Sequence, residues 1–346
     1  MTTTICKMNN HAEERTQMCI CLARIAKERD IKNKEKWELG EETQEKLDIF
    51  TLPNQIKIMF GEFFKTPKYT HIHTLVGHTE NVSCLTLHKN KLYSGSADST
   101  IRIWNIETYE EIATLRGHTS WVNCLTIHEN KLYSGSWDKT IRIWNTETYE
   151  TIATLIGHTS WVNCLTIHEN KLYSGSHDKT IRIWNTETYE EIATLIGHTS
   201  WVNCLTIYEN KLYTGSNDNT IRIWNTETYE TIATLSGHTS WVNCLTIHEN
   251  KLYTGSSDNT IRIWNTETHE IIATLMGHTK IVYCITLRGN KLYSGSSDNT
   301  IRIWNTETRE IIATLIGHTY SVRCLTIHNN KLYSGSMDKT IRVWKI

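Results

Sequence analysis

Residues 117–156 read GHTSWVNCLTIHENKLYSGSWDKTIRIWNTETYETIATLI, and this stretch recurs with small changes from Gly77 to the last residue. A Gly-His pair opens every copy, and each histidine is forty residues from the next. These histidines are His78, His118, His158, His198, His238, His278 and His318. An aspartate follows each histidine by twenty residues, and a tryptophan follows six residues later. Seven copies without an insertion indicate one supersecondary unit repeated in space.

Each copy has the pattern of four short β-strands. In the quoted copy the predicted strands are residues 122–128, 131–136, 140–145 and 152–155. They are rich in isoleucine, valine, threonine and tyrosine, which suit a half-buried pleated surface. A sheet of four strands cannot bury both faces alone, so neighbouring sheets have to pack against it. A radial arrangement of such sheets leaves no long free edge.

The Gly-His pairs, the forty-residue period and the Trp-Asn dipeptides give residues 71–346 a strong resemblance to the WD-repeat (WD40) family. The resemblance implies an all-β fold, a seven-bladed β-propeller with four-stranded antiparallel blades. The second letter of the WD dipeptide is asparagine in six copies and Lys345 in the last. We expect these asparagines to hydrogen-bond the local turn, so the departure does not threaten the fold.

The two ends of the repeat region complement each other. The last copy stops after its third predicted strand, at Ile346, and lacks a fourth. The segment HIHTLV at 71–76 matches EIATLR, the fourth strand of the first copy, at 111–116. We therefore predict that this N-terminal strand completes the last blade, which gives twenty-eight strands and a propeller over residues 70–346.

Residues 1–69 form a separate N-terminal extension, because the forty-residue period is absent from them. Helical spacing predicts short helices at 18–31 and 52–64, and the charge-dense stretch between them favours a partly disordered extension. The segment LPNQIKIMF at 52–60 resembles the opening of an F-box, the module that ties WD-repeat substrate receptors to a ubiquitin ligase. Its phenylalanine comes one residue early, and a packing or oligomerising helix is the alternative.

Composition narrows the possible partners. The formal net charge is −1 without a basic block, so nothing indicates electrostatic binding of nucleic acid or of a membrane. Apolar runs are too short to span a bilayer, and MTTTICKMNN lacks the apolar core of a signal peptide. Seven of the ten cysteines occur once per copy and suit small buried positions. We expect no cofactor and a cytoplasmic location, or a nuclear one.

A serine or threonine, a histidine and an aspartate occur together in every copy, which is the composition of a hydrolase triad. The set occurs seven times, travels with a tryptophan, and contains Thr214 and Thr254 in place of serine. The family resemblance implies that these residues form buried structural tetrads. Two predicted tetrads are His118, Ser134, Asp138 and Trp144, and His158, Ser174, Asp178 and Trp184. We therefore predict a protein that is not an enzyme.

Three positions per copy vary in kind: four and six residues after the glycine, and immediately before the aspartate. The resemblance implies that these positions surround the central channel on the top face, where partners commonly dock. The candidate partner-binding residues are Trp121, Trp137, Trp161, Trp201, Trp241, Asn123, Asn163, Asn203, Asn243, His177, Tyr283 and Arg323. The tryptophans either contact a partner, as aromatic anchors often do, or pack between blades after recent duplication.

Two of the candidate partner-binding residues, His177 and Arg323, also have alternative roles to consider. His177 could be a metal ligand, but no second ligand is evident, so we expect an exposed polar residue and no metal site. Arg323 lies in GHTYSVRCLTI, which resembles the propellers of F-box receptors, where arginines grip phosphorylated motifs. It is the one arginine among twenty-one variable positions, which argues against a clamp for several phosphates.

The predicted function is a non-catalytic protein–protein interaction scaffold that binds a protein or peptide on its top rim. The alternative is the substrate-recognition subunit of a ubiquitin ligase, in which residues 12–69 of the N-terminal extension make the additional contact by docking the ligase. The short turn HENK also resembles WD domains of myosin heavy chain kinases. Residues 1–69 contain no kinase signature, so that activity does not carry over.

Overall fold

A computed structural model describes residues 69–346. Within this range the chain forms twenty-eight strands, grouped in seven antiparallel sheets of four strands each. The predicted seven-bladed propeller is therefore confirmed. The predicted helical extension lies outside the described residues except for Tyr69, and the domain boundary at 69/70 stays a prediction.

The first strands of neighbouring blades contact one another and surround the central channel, and the second to fourth strands follow outward. Blade 1 contains β2 (Val82–His88), β3 (Lys91–Ser96), β4 (Thr100–Asn105) and β5 (Glu111–Arg116). Blade 2 contains β6 (Val122–His128), β7 (Lys131–Ser136), β8 (Thr140–Asn145) and β9 (Thr151–Ile156). Blade 3 contains β10 (Val162–His168), β11 (Lys171–Ser176), β12 (Thr180–Asn185) and β13 (Glu191–Ile196).

The remaining blades repeat this order. Blade 4 contains β14 (Val202–Tyr208), β15 (Lys211–Ser216), β16 (Thr220–Asn225) and β17 (Thr231–Ser236). Blade 5 contains β18 (Val242–His248), β19 (Lys251–Ser256), β20 (Ile261–Asn265) and β21 (Ile271–Leu275). Blade 6 contains β22 (Val282–Arg288), β23 (Lys291–Ser296), β24 (Ile301–Asn305) and β25 (Ile311–Leu315). Blade 7 contains β26 (Val322–His328), β27 (Lys331–Ser336), β28 (Thr340–Lys345) and β1 (Thr70–Val76).

Blade 7 joins the two ends of the repeat region. Its strand order is β1-β28-β27-β26, and β1 pairs antiparallel with β28 from Thr70 opposite Lys345 to Val76 opposite Thr340. Leu75 of β1 is buried in the core together with Ile341 and Val343 of β28. The predicted closure is confirmed, and its reason is that β28 would otherwise leave both an open ladder and an uncovered apolar surface.

The hydrophobic core lies between blades, in one cluster at each of the seven interfaces. Between blades 2 and 3, Tyr133 and Ile143 pack against Val162 and Trp184, all four of them buried. The first-strand cysteines are buried as predicted, and the Cys124 thiol lies 3.9 Å from the Val162 carbonyl oxygen of the next blade. Stability therefore depends on the contact of each blade with its neighbours, because a single blade has no core of its own.

The asparagine of each Trp-Asn dipeptide closes the turn at the bottom face, the end of the ring opposite the quoted Gly-His loop. The Asn145 side-chain oxygen accepts hydrogen bonds from the backbone N–H of Glu147 at 2.8 Å and of Thr148 at 3.0 Å. Tyr149 follows in a left-handed conformation, with φ of 64°, and its hydroxyl accepts from Lys91 of blade 1 at 2.7 Å. The expected role of this asparagine is thus confirmed, and the same turn links two blades.

Candidate functional site

The predicted tetrads form one hydrogen-bonded chain in each blade. In blade 2 the indole N–H of Trp144 donates to Ser134 Oγ at 2.8 Å, and this hydroxyl lies 2.7 Å from His118 Nε2. His118 Nδ1 lies 2.6 Å from an Asp138 oxygen, which as a carboxylate can only accept the bond. The side chains of His118 and Asp138 are 1% and 8% exposed, and Ser134 is fully buried.

The aspartate of the tetrad stays ionised because of its hydrogen bonds. Burial by itself raises the pKa of Asp138, but hydrogen bonds from His118 and Thr140 more than offset this and hold that pKa well below its usual range. The hydroxyl that would have to act as a nucleophile is enclosed between strands and bonded to an indole. The tetrad therefore holds the blade together, and no substrate can reach its serine in this arrangement.

The first and third variable positions of each copy meet at the top face, the end of the ring formed by the Gly-His loops and the turns between the second and third strands. The backbone N–H of Trp137 donates to the carbonyl of Trp121 at 2.9 Å, and that of His177 donates to Trp161 at 2.9 Å. The equivalent bond occurs in all seven blades. Residues of these two positions consequently alternate around the ring, one after the other.

Aromatic side chains occupy five consecutive places of this alternation in blades 2 to 4, and a sixth, Trp241, follows in blade 5 after Asn217. We name the rim ladder as Trp121, Trp137, Trp161, His177, Trp201 and Trp241. Ring centroids are 3.9 Å apart for the first pair and 3.8 Å for the second, with planes within 15°. His177 continues the stack, 4.6 Å from Trp161 and 3.9 Å from Trp201. The last step, from Trp201 to Trp241, opens to 6.3 Å with a tilt of 50°.

The ladder combines the two roles proposed for its tryptophans. Trp137 and Trp161 are half-buried, because each lies between two other rings. Trp201 and Trp241 are 38% and 47% exposed. The middle of the ladder thus packs across blade boundaries, and the end on blades 4 and 5 presents aromatic surface to solvent.

His177 is not the exposed polar residue that its sequence position suggested. Its imidazole is half-buried between Trp161 and Trp201, because the alternation of the rim places it there. Burial lowers the pKa of His177 to about 4, against a smaller opposing effect of Asp178. The ring is therefore neutral at neutral pH and acts as a member of the stack.

The second variable position holds an arc of asparagines deeper in the channel mouth. Each donates its side-chain N–H to a backbone carbonyl of the next blade: Asn163 to Val202 at 3.0 Å, and Asn243 to Val282 at 3.1 Å. Asn203 makes the corresponding bond to Val242 at 3.0 Å, whereas Asn123 donates to the backbone carbonyl of Asn163 at 3.3 Å. These amides link neighbouring blades while their edges line the channel. Sequence variation had indicated only a surface role for them.

Arg323 and Tyr283 occupy the same second position in blades 7 and 6. The Arg323 guanidinium lies 4.1 Å from the centroid of the Tyr283 ring, in a cation–π contact. Within residues 69–346, no carboxylate pairs with Arg323 and no acceptor binds its N–H groups. It is therefore a half-buried charge whose hydrogen-bonding capacity is available to a ligand.

The top face surrounds a depression of about 230 Å³ at the channel mouth. It is lined by Asn123, Trp137, Asn163, His177, Trp201, Asn203, Asn217, Trp241, Asn243, Tyr283 and Arg323. Ten of these eleven are predicted partner-binding residues, and Trp121 and Trp161 are the two candidates that do not line it. The addition is Asn217, which holds the third variable position of its copy and was identifiable by that position.

Sequence reasoning missed a second set of repeated apolar residues, at the outer end of the fourth strands. These are Val76, Ile156, Ile196, Met276 and Ile316, each 72–79% exposed. Each immediately precedes a Gly-His pair, and this shared position in the sequence could have identified the set. Arg116 and Ser236 interrupt the set in blades 1 and 4, so its residues occur on two runs of neighbouring blades, blades 2 and 3 and blades 5 to 7.

Among residues 69–346 no group of three His, Cys, Asp or Glu side chains is placed to hold a metal ion. Over the same range no helix has the length and hydropathy of a membrane span.

Comparison with protein families agrees with this geometry. The family described as "WD domain, G-beta repeat" matches residues 69–105, 109–145, 149–185, 189–225, 229–265, 269–305 and 309–345. The chain belongs to this family. Each match begins one or two residues before the fourth strand of one blade and ends on the third strand of the next. The repeat of this WD-repeat protein is therefore shifted by one strand from the structural blade, as the pairing of β1 with β28 requires.

Two curated proteins show short similarities to this WD-repeat protein. It is 53% identical over 36 residues to the F-box/WD repeat-containing protein pof1 of Schizosaccharomyces pombe, which covers 10% of this chain and 6% of that protein. It is 49% identical over 47 residues to the probable E3 ubiquitin ligase complex SCF subunit scon-2 of Neurospora crassa, which covers 14% and 7%. The matched segments are a small part of either relative.

A solved structure is also similar to this chain. The crystal structure of the computationally designed Ika8 protein has a TM-score of 0.66 and 28% sequence identity, and covers 80% of this chain and 99% of that one.

Proposed function

We propose that this WD-repeat propeller is a non-catalytic scaffold that binds a protein or peptide over the channel mouth of its top face. WD-repeat propellers are typical protein-interaction scaffolds. The observation that supports the proposal is the distribution of variation: the tetrads are repeated in every blade, whereas the variable positions gather around one depression. That depression carries two exposed tryptophans, and tryptophan is enriched among the residues that dominate binding energy.

The size and lining of the depression favour a peptide over a cofactor. Pockets for small-molecule ligands usually measure about 300–1,000 Å³, and this one, at about 230 Å³, is smaller. Its lining consists of indole, imidazole, amide, phenol and guanidinium groups, and it contains no carboxylate or thiol. A side chain or two from a longer partner would fill it, with the surrounding rim in contact with the rest of the segment.

The test is affinity capture of partners with the full-length chain and with a Trp201→Ala/Trp241→Ala variant, quantified by mass spectrometry. We expect the rim variant to lose its specific partners, at a cost of about 2 kcal/mol or more for each buried anchor. The matched control is Glu169→Ala/Glu209→Ala, which changes residues at the bottom face and should retain them. Equal recovery with both variants would contradict a top-face site.

The second candidate function is substrate recognition within a ubiquitin ligase. It is favoured by the two relatives, one an F-box/WD repeat protein and one a probable SCF subunit. The predicted F-box-like segment at 52–60 would supply the ligase contact. Affinity purification with and without residues 1–69 tests this idea: the loss of a ligase adaptor on truncation supports it, and unchanged partners oppose it.

The cytoplasmic location stays a prediction, which imaging of a tagged chain would test.

A further inference from the structure

The rim ladder ends where a ring is replaced by an amide. In blades 2 and 3 the third variable position holds Trp137 and His177, each of which fills the space between two tryptophans. In blade 4 the same position holds Asn217, so Trp201 and Trp241 face each other at 6.3 Å with planes tilted by 50°. The regular stacking step is lost at this point, and both indoles become more exposed than those before them.

Asn217 does not close the gap. Its side-chain oxygen accepts a hydrogen bond from the Asn203 amide at 2.6 Å, which turns the group toward the channel. Within residues 69–346 the Asn217 side-chain nitrogen has no acceptor. Trp241 has no aromatic neighbour beyond it, because the next two places on the rim are Ser257 and Ile281. The indole of Trp241 therefore has a free face beyond the last stacked ring, and the Asn217 amide of the same depression has an N–H that can donate.

The opposite side of the same depression carries one positive charge. Arg323 is the single charged side chain among the eleven that line it, and Tyr283 covers one face of its guanidinium. The guanidinium edge has no carboxylate within the described range, residues 69–346. A half-buried guanidinium with free N–H groups binds a carboxylate in a bidentate, charge-assisted geometry. One guanidinium among neutral amides suits one negative charge.

From these two features we infer that the depression takes a peptide segment in which an aromatic side chain lies close to an aspartate or glutamate. The aromatic ring stacks on the free face of Trp241 and extends the ladder by one step. The acidic side chain pairs with Arg323 across the channel mouth, and Asn217 donates to the peptide backbone between them. This inference rests on the proposed function and specifies the partner chemistry of the same site.

The specificity follows from desolvation. An aromatic ring alone would gain stacking but would leave Arg323 covered by the peptide without a partner, which is unfavourable for a buried charge. An acidic group alone would pair with Arg323 but would leave two exposed indoles in water. A segment with both groups satisfies the depression, so each group should depend on the presence of the other.

The experiment is selection of random eight-residue peptides on the immobilised full-length chain, followed by fluorescence anisotropy with individual labelled peptides. We expect the enriched peptides to contain Trp, Tyr or Phe within about four residues of Asp or Glu. Their Kd should rise about tenfold or more in Trp241→Ala and in Arg323→Met. Changing the peptide acid to its amide should weaken binding to the wild type and leave binding to Arg323→Met unchanged.

Two matched variants control for general effects on the same face. Lys139→Ala removes an exposed cation outside the depression, and Tyr320→Ala removes an aromatic ring that is 64% exposed outside it. Both should change the Kd less than twofold. Thermal unfolding verifies each variant, and Arg323→Lys, which keeps the charge but not the planar fork, replaces Arg323→Met if that variant does not fold.

The outcomes separate the inference from the proposed function. Peptides that need Trp241 but are indifferent to Arg323 and to their own acid overturn the inference and leave top-face binding intact. If replacing the acidic residue of the peptide with phosphoserine lowers the Kd tenfold, the inference that the ligand group is a carboxylate is overturned. Peptides indifferent to every rim variant, or no enrichment at all, count against the proposed function and therefore against both.

Discussion

Two adjacent residues of one turn, Trp137 and Asp138, belong to different parts of the molecule. Asp138 points into the blade and holds His118 in a tetrad that has an equivalent in all seven blades. Trp137 points to the channel mouth and stacks between rings from two blades, and its position holds six different residue types around the ring. The turn thus separates framework from surface at a single peptide bond, which lets one change while the other stays constant.

The largest effect should come from the framework strand that closes the ring. Deleting residues 70–76 removes six paired positions on β28 and uncovers the core around Ile341. At about 1 kcal/mol per hydrogen bond, plus about 1.5–3 kcal/mol for Leu75, the loss is several kcal/mol. Thermal unfolding and gel filtration measure it, with a chain lacking only residues 1–68 as control. An unchanged Tm in a monomeric product would contradict the closure.

Breaking one tetrad should have the next largest effect. His158→Ala leaves Ser174 and Asp178 buried without their common partner, and we expect a loss of about 1–3 kcal/mol in the free energy of unfolding. Urea unfolding provides the measurement. The exposed neighbour Lys179 supplies the control, since Lys179→Ala should be within about 0.5 kcal/mol of wild type. A fully stable His158→Ala variant would show that the hydrogen-bonded tetrad is dispensable for the fold.

The rim ladder itself should divide into a packing part and a free end. Trp161 stacks on Trp137 and His177, and two such pairs at about 0.5–1.5 kcal/mol each predict a loss of about 1–3 kcal/mol in Trp161→Ala. Trp241 has one distant, tilted neighbour, so Trp241→Ala should change stability by well under about 1 kcal/mol. Parallel urea unfolding of the two variants decides this, and equal losses would mean that the ladder has no free end.

The smallest expected effect is on the loss of stability at acidic pH. The pKa of the tetrad aspartates is lower in the folded chain than in the unfolded one, so their contribution is present above pH about 4 and is lost as pH falls through the folded pKa. Asp178→Asn removes one of these seven groups. The slope of unfolding free energy against pH below pH 4 should therefore decrease, by at most about 1.4 kcal/mol per pH unit. An unaltered slope would place the acid sensitivity elsewhere.

The repeated part of the structure could be predicted because copies of nearly the same sequence form the same four strands in every blade. The first three strands of the quoted copy match the prediction at both ends, and the fourth runs one residue further each way, since Thr140 pairs with Ile156. The tetrads follow from composition and the family resemblance. The rim ladder could not be predicted in this way. Its prediction requires knowing that the loop before the first strand of a blade and the turn after its second strand meet at the top face. His177 and Asn217 have their roles only through the rings on each side of them.

The pairing of β1 with β28 also sets the order of events during synthesis. The ribosome makes β1 first among the propeller strands, yet its partner emerges only about 270 residues later, so at about 5–20 residues per second the early strand waits for roughly 13 to 54 seconds. Each earlier blade meanwhile acquires its own fourth strand from the chain that follows, and so offers β1 no vacant edge. Among the twenty-eight strands described, β28 is the one whose outer edge is paired by a strand that precedes it in the chain. The ring therefore cannot close before β28 has been made, and the contacts between blades 7 and 1, such as that of Cys324 with Val82, cannot form before the strands of blade 7 have been synthesised.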